Sequence, residues 1–343
     1  MLPQSMVDLD NKIIHNTLQD YRHGCTKPIQ ITPDNSGDVF AYKLQTLMEN
    51  RLPLKDRLLM RRSANTRNQG LIAARSGQLM VAEQLFAETR ILFQSDTSSI
   101  EGKLLHKSFL EQAEAYLDYR RNNFDRVRNR TSEALEIDVV LEEEYGYEIL
   151  VLHRIQLVHN LVRTHARGMY FDRAIALAGQ LLSYLQGTLE ILPISGSWGS
   201  ERIARQSPEL VAAMFAQITS EIALILADQN RLFARDLFAL VTPYIQLQAN
   251  SQSHCHPRAY AWLLLKQAFL NNDRITFLER ASHFLAEGRA DTPVIWYATV
   301  FDLVTLSNEL QLPNSDLVRQ EVAKDAISWE YLPQKFSLLL VAA

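Results

Sequence analysis

Three arginines recur at one place in a repeating pattern. With Leu79, Phe124 and Phe171 set as equivalent positions, Arg75, Arg120 and Arg167 each lie four residues earlier. Eight before the anchors stand Leu71, Tyr116 and Arg163; eleven before, Asn68, Ala113 and Asn160; twelve before, Arg67, Gln112 and His159. Offsets of four and eight fall within about 80° on a helix, so these residues share one face. A guanidinium is a planar fork that matches a carboxylate in two parallel hydrogen bonds. The face therefore reads as a basic, amide-lined surface for an acidic segment. A second reading is structural, because each arginine would close the last turn of its helix, where a cation complements the macrodipole.

Other groups that could do chemistry are weaker. His254-Cys255-His256 offers three metal-ligand types, but adjacent residues do not converge and Pro257 marks an ordinary entry into a helix. Glu142-Glu143-Glu144 is expected to face solvent. Gly196-Ser197-Trp198-Gly199-Ser200 has no preceding strand with which to build a phosphate cradle, and reads as a loop whose Trp198 docks on the core. The chain has no P-loop, G-x-S-x-G, H-E-x-x-H or G-x-G-x-x-G after a strand. It is expected not to be an enzyme, and neither a cofactor nor a metal is expected. Basic clusters at Arg57, Arg61, Arg62, Arg67 and Arg75, and at Arg120, Arg121, Arg126, Arg128 and Arg130, lack any nucleic-acid-binding signature beside them. They are expected to pair with the neighbouring acids from Glu133 to Glu144.

The elements that must position these residues are helices. Only 12 glycines and 11 prolines in 343 residues leave few turns and breakers. Residues 1–52 read as an N-terminal arm with leading helices, including one around Val7 to Tyr21, and 53–343 as a helical-repeat domain. Pro208 to Ala227, Arg231 to Gln248, Pro257 to Leu270, Arg274 to Glu287, Pro293 to Leu310 and Ser315 to Ser328 read as helices joined by short links. Residues 187–206 form one long irregular insert.

Gly70, Gly77, Ala82 and Phe86 stand at offsets 0, 7, 12 and 16. In this spacing the stretch from Arg61 to Phe93 resembles the tetratricopeptide repeat (TPR), whose second helix carries A-x3-F. The resemblance implies that Gly70 lets two helices approach, that Gly77 ends the first, and that Ala82 and Phe86 form the packing seam. The segments beginning at Phe124 and Phe171 repeat the theme at spacings of 45 and 47 residues, against about 34 in the family. Thr66, Gln69 and Ala73 stand where the family favours Trp, Leu and Tyr, and Gln94 where it has proline. The implied fold is all-α, an α-solenoid of antiparallel helical hairpins wound as a TPR-like right-handed superhelix. The implied function is a protein- or peptide-binding interaction module, or scaffold. Asparagines in its concave groove would hold a peptide backbone, and basic residues its acidic side chains. The groove residues are then Arg67, Asn68, Arg75, Tyr116, Arg120, His159, Asn160, Arg163 and Arg167. Two alternatives stand beside this: a peptide-sensing bacterial signalling regulator of similar fold, and an enzyme with an unfamiliar helical site.

A formal net charge of -4 gives the whole molecule no bias toward polyanions. Two cysteines, Cys25 and Cys255, exclude a disulfide framework. The first twenty residues lack a signal-peptide pattern, and no run approaches the roughly 18 apolar residues that span a bilayer. A cytoplasmic protein is expected, with a protein or peptide partner and neither nucleic acid nor membrane. The apolar end, Phe336 to Ala343, reads as a strap over the last repeat or as the contact of a homodimer.

Overall fold

The computed structural model describes residues 4–29, 35–94, 98–245, 247, 255–310, 315–330, 332–334 and 336. His254, the link at 312–314 and the apolar tail beyond Phe336 lie outside the described residues. Among the described residues the regular structure is entirely helical. The helices are α1 (Gln4–Cys25), α2 (Asn35–Arg51), α3 (Leu54–Arg75), α4 (Leu79–Ile91), α5 (Ile100–Arg120), α6 (Phe124–Tyr145), α7 (Leu150–Arg167), α8 (Phe171–Leu185), α9 (Ser200–Ala204), α10 (Pro208–Ala227), α11 (Arg231–Phe238), α12 (Pro257–Leu270), α13 (Arg274–Ala286), α14 (Pro293–Glu309) and α15 (Ser315–Ala326). They form two compact units, one of residues 35–214 and one of residues 1–34 with 215–343.

In the 35–214 unit, α3 packs on α4, α5 on α6 and α7 on α8, while α3 with α5, α4 with α5 and α6 with α7 join the successive pairs. One turn recurs between the helices of a pair. Gly77, Asn122 and Met169 take φ of 84°, 58° and 64°. The amide that follows each bonds back to the carbonyl five residues earlier, Gln78 to Ala73, Asn123 to Asp118 and Tyr170 to His165, all at 2.9 Å. This is the Schellman closure, which satisfies the last carbonyls of a helix through one left-handed residue. A fourth copy closes α12 in the other unit, with Asn272 at φ 64° and Asp273 bonded to Ala268 at 3.0 Å.

Glycine reaches that conformation without strain, whereas an L side chain there costs about 1–2 kcal/mol. Met169 is mostly exposed, so it gains little from packing. Met169→Gly is expected to raise stability by roughly 0.5–1 kcal/mol. A rise in the urea midpoint would show this, and an unchanged or lower midpoint would contradict it.

The seam expected around Gly70 is present. Ala82 and Phe86 are 0% and 1% exposed, and Ala73, Ala74, Leu110, Ala113 and Leu117 complete their cluster. A Cβ on Gly70 would lie 2.5 Å from the Phe86 ring, so α3 and α4 meet at a distance only glycine permits.

The 1–34/215–343 unit differs from expectation. Residues up to 52 are not one arm: α1 packs on α13, and α2 belongs with the 35–214 unit. Ile14, Leu18 and Tyr21 are buried. Tyr21 stacks on Trp296 at 5.7 Å and donates to Asp325 at 2.7 Å, and Arg22 pairs with Glu321. Trp296, Tyr297 and Trp329 extend this aromatic core. Helix α11 stops at Phe238, well short of the expected Gln248, and i→i+3 bonds at Leu240, Val241 and Tyr244 carry the chain on. Pro243 explains the stop, since it has no N–H to donate and its ring collides with a carbonyl four residues back.

Helix α10 corrects the reading that no segment could span a bilayer, for it is long and apolar enough by length and composition. Phe215, Ile218, Ile222, Ile225 and Leu226 of this helix are buried within the protein, as in the core helix of a folded domain.

Candidate functional site

Three of the nine predicted groove residues converge. Tyr116 from α5 and Asn160 and Arg163 from α7 line an open cleft of about 50 Å3, together with Gln112, Tyr119 and Thr131. Arg163 is exposed at its mouth and Asn160 is half-buried. Asn160 Oδ1 accepts from Gln156 at 3.4 Å, and Tyr116 and Tyr119 lie with their rings 6.1 Å apart and nearly parallel. The cleft thus offers two aromatic walls, two amides and a guanidinium.

The recurrent arginines do something else. The anchors Leu79, Phe124 and Phe171 are the first residues of α4, α6 and α8, and Arg75, Arg120 and Arg167 are the last of α3, α5 and α7. Arg120 Nη1 donates to the carbonyl of Arg75 at 2.9 Å, reaching back 45 residues to the end of the preceding pair's first helix. Arg167 Nε reaches back the same 45 residues to Asn122 Oδ1 at 2.9 Å, with its guanidinium 4.7 Å above the Tyr119 ring. Arg231 repeats the device in the other unit, bonding Asn272 Oδ1 at 3.1 Å and lying 4.4 Å from the Phe269 ring. A cation at the negative end of a helix is stabilising there, so Arg120 and Arg167 staple neighbouring pairs together. The side chain of Arg75 is exposed.

The remaining predicted residues lie outside the cleft. Asn68 is exposed on α3, and Arg67 is half-buried with its guanidinium 5.0 Å from the Phe109 ring. Burial pulls the Arg67 pKa down to about 10. His159 is fully buried, which holds its imidazole neutral, well below its ordinary range. It cannot present its ring to a partner. Helix α7 packs against both α6 and α8, so more of its circumference is core than the repeat register implied.

Acid stability follows from the same burial. His106 is 4% exposed, bonds Ser63 Oγ at 2.8 Å and stacks on Phe93. Burial, with Arg67 adding to it, lowers its pKa from 6.5 to about 4. The folded state therefore binds fewer protons than the unfolded chain between these values. The contribution is complete above pH 6.5 and is lost as pH falls toward 4. Between pH 8 and pH 5 the loss is expected to be roughly 2 kcal/mol from this residue. Urea unfolding at both pH values checks it: His106→Gln should remove about that much of the pH dependence, and an undiminished dependence would rule His106 out.

The charge clusters pair, but not with the acids expected. Arg130 Nε bonds Asp118 at 2.9 Å and the same guanidinium meets Glu111 and Glu114, while Arg121 pairs with Glu83 at 2.7 Å. Glu142 does not face solvent. It is buried and accepts from Arg154 Nε at 2.6 Å and Nη2 at 2.8 Å, and Arg202 of the insert adds a bond at 3.0 Å. Trp198 docks as expected: Arg154 lies 4.3 Å from its ring, Tyr184 meets it edge-on at 5.3 Å, and its Nε1 donates to the carbonyl of Ile194. His256 is spent as a helix cap, its Nδ1 accepting from the Ala259 amide at 3.1 Å. Among the described residues no group of three or more His, Cys, Asp or Glu side chains is placed to hold a metal ion.

A second recess went unread in the sequence. In the 1–34/215–343 unit, Lys266 and Asp302 are both buried, and the ammonium sits 2.8 Å from each carboxylate oxygen. They stand in the wall of a cavity of about 280 Å3 that Arg231 also lines. The signal was available: Lys266 interrupts Trp262-Leu263-Leu264-Leu265, and Asp302 interrupts Val300-Phe301 and Leu303-Val304. Lone charges of opposite sign in two apolar helices must find each other or bear the full desolvation cost.

The regular structure of the described residues is thus helical, and it holds a side-chain-sized cleft and larger recesses. Comparison with known proteins finds no matching family model, no matching curated protein and no matching solved structure.

Proposed function

We propose that residues 35–214 are a peptide- or protein-binding module, a tetratricopeptide-like α-solenoid in which antiparallel hairpins α3/α4, α5/α6 and α7/α8 present their first helices to a protein segment. The observation that carries this is the convergence of Tyr116, Asn160 and Arg163 on one open cleft among α5, α6 and α7, with Val127 and Thr131 of α6 in its wall. At about 50 Å3 the cleft holds less than two waters' share of liquid volume at about 30 Å3 each. Its natural occupant is one side chain of an extended segment. Asn160 and Gln112 supply amide hydrogen bonds to that segment's backbone, and Arg163 favours a carboxylate beside the anchor. Arg120 and Arg167 contribute by holding the pairs in register, and Arg163 is the guanidinium in the cleft lining. Neither Cys25 nor Cys255 is in a disulfide, in keeping with a cytoplasmic setting.

Selection of phage-displayed peptides on the full chain tests the reading. The expected result is a consensus with a small aliphatic anchor next to an acidic residue. Its affinity should fall at least about tenfold, or 1.4 kcal/mol, in Asn160→Ala/Arg163→Glu. Arg120→Ala should leave affinity within about twofold, a shift well under 1 kcal/mol, and lower stability instead. No consensus, or one indifferent to the double substitution, overturns the assignment.

A further inference from the structure

The cavity beside Lys266 is built for a different kind of ligand. It opens among α10, α11, α12, α14 and α15, and its walls include Leu226, Phe269, Phe301 and Phe336. Its volume of about 280 Å3 equals roughly nine waters at about 30 Å3 each, enough for about ten non-hydrogen atoms. One side is charged. Lys266 Nζ lies between the two Asp302 oxygens and 5.0 Å from the Phe269 ring. An ammonium has three N–H donors, so two bonds to Asp302 leave one.

We propose that this cavity binds a small amphipathic monocarboxylate, its carboxylate taken by Lys266 and its apolar body by the phenylalanine-lined wall. The sign of the ligand follows from the lining. Lys266, Arg231 and Arg319 are cations in the wall and Asp302 is its carboxylate. Among the acids that meet the two arginines, Glu309 and Asp316 are not part of the lining, and their side chains are 38% and 80% exposed. Water screens those partners more than it screens the interior, which leaves positive excess potential inside. Arg231 is engaged with Asn272, Glu309 and the Phe269 carbonyl and Arg319 with Asp316, so the donor that meets the ligand is the third N–H of Lys266, suited to a single carboxylate. Stability does not account for the pair, because replacing a buried ion pair by apolar side chains is often neutral or stabilising.

Octanoate, which has ten non-hydrogen atoms, is the probe, and 1-octanol its uncharged counterpart. Calorimetric titration of the full chain is expected to show one saturable octanoate site at least tenfold tighter than octanol. Lys266→Met/Asp302→Leu removes both charges and keeps the volume, and should bind octanoate no better than octanol. Should that variant not fold, Ala298→Phe adds volume to the cavity wall while keeping both charges, and should abolish octanoate binding while thermal unfolding stays cooperative. Absence of octanoate binding to the wild type, equal affinity for octanol, or octanoate binding unchanged in the folded double variant or in Ala298→Phe would each overturn the proposal.

Discussion

Glu142→Ala is expected to destabilise the protein by roughly 3–5 kcal/mol, the cost of stranding a buried charge. Arg154 has 0% of its surface exposed, and its Nε and Nη2 both go to Glu142. Without the carboxylate this guanidinium is left buried under the Trp198 ring with neither of its bonding partners. Water would have to enter, or the insert carrying Trp198 would have to lift. Against a total of about 5–15 kcal/mol, the loss should be plain in urea unfolding, with the fluorescence of Trp198 moving to longer wavelength. Glu142→Leu/Arg154→Met should recover most of it, because two apolar side chains of similar size leave nothing charged behind. Arg202 then turns to Glu143, which it already meets at 3.1 Å. A loss below about 1 kcal/mol in Glu142→Ala would place this pair among solvated ones.

What the sequence made legible was local. The turns after α3 and α5 carry Gly77 and Asn122, residues that accept a left-handed backbone, and a short link between apolar helical stretches locates them. The register built on Leu79, Phe124 and Phe171 coincides with helix starts for that reason. The same register put Arg120 and Arg167 at helix ends but could not say what a neighbouring pair would offer them. That depends on the carbonyl of Arg75 and the side chain of Asn122, each 45 residues away. His159 and Arg163 share a face by periodicity, yet one is core and the other solvent-exposed, because burial depends on which flanks of α7 are covered. The seat of α1 was beyond local reading altogether: its partners Leu278, Ser282 and Asp325 lie more than 250 residues downstream.

That seat leaves no room for a side chain at Gly24. A Cβ there would stand 1.9 Å from the carbonyl oxygen of Leu285 and 3.3 Å from Cα of Gly288. Gly288, at φ +79°, faces it in turn, and a Cβ on Gly288 would lie 3.1 Å from the Gly24 carbonyl. The obstruction on the Leu285 side is backbone, so no rotamer change relieves it. Helix α1 would have to rise off α13, opening the stack of Tyr21 on Trp296 and the bond from Tyr21 to Asp325. Gly24→Ala is therefore expected to cost about 3 kcal/mol or more, at or above the upper end of ordinary overpacking. Faster amide exchange should appear along residues 4–25. Gly77→Ala is the matched control, for nothing lies within 4 Å of its added Cβ. Its cost should be only the left-handed backbone strain of about 1–2 kcal/mol. If the two variants lose stability equally, and α1 exchanges no faster in Gly24→Ala, then α1 does not approach α13 as closely as the Gly24 contact requires.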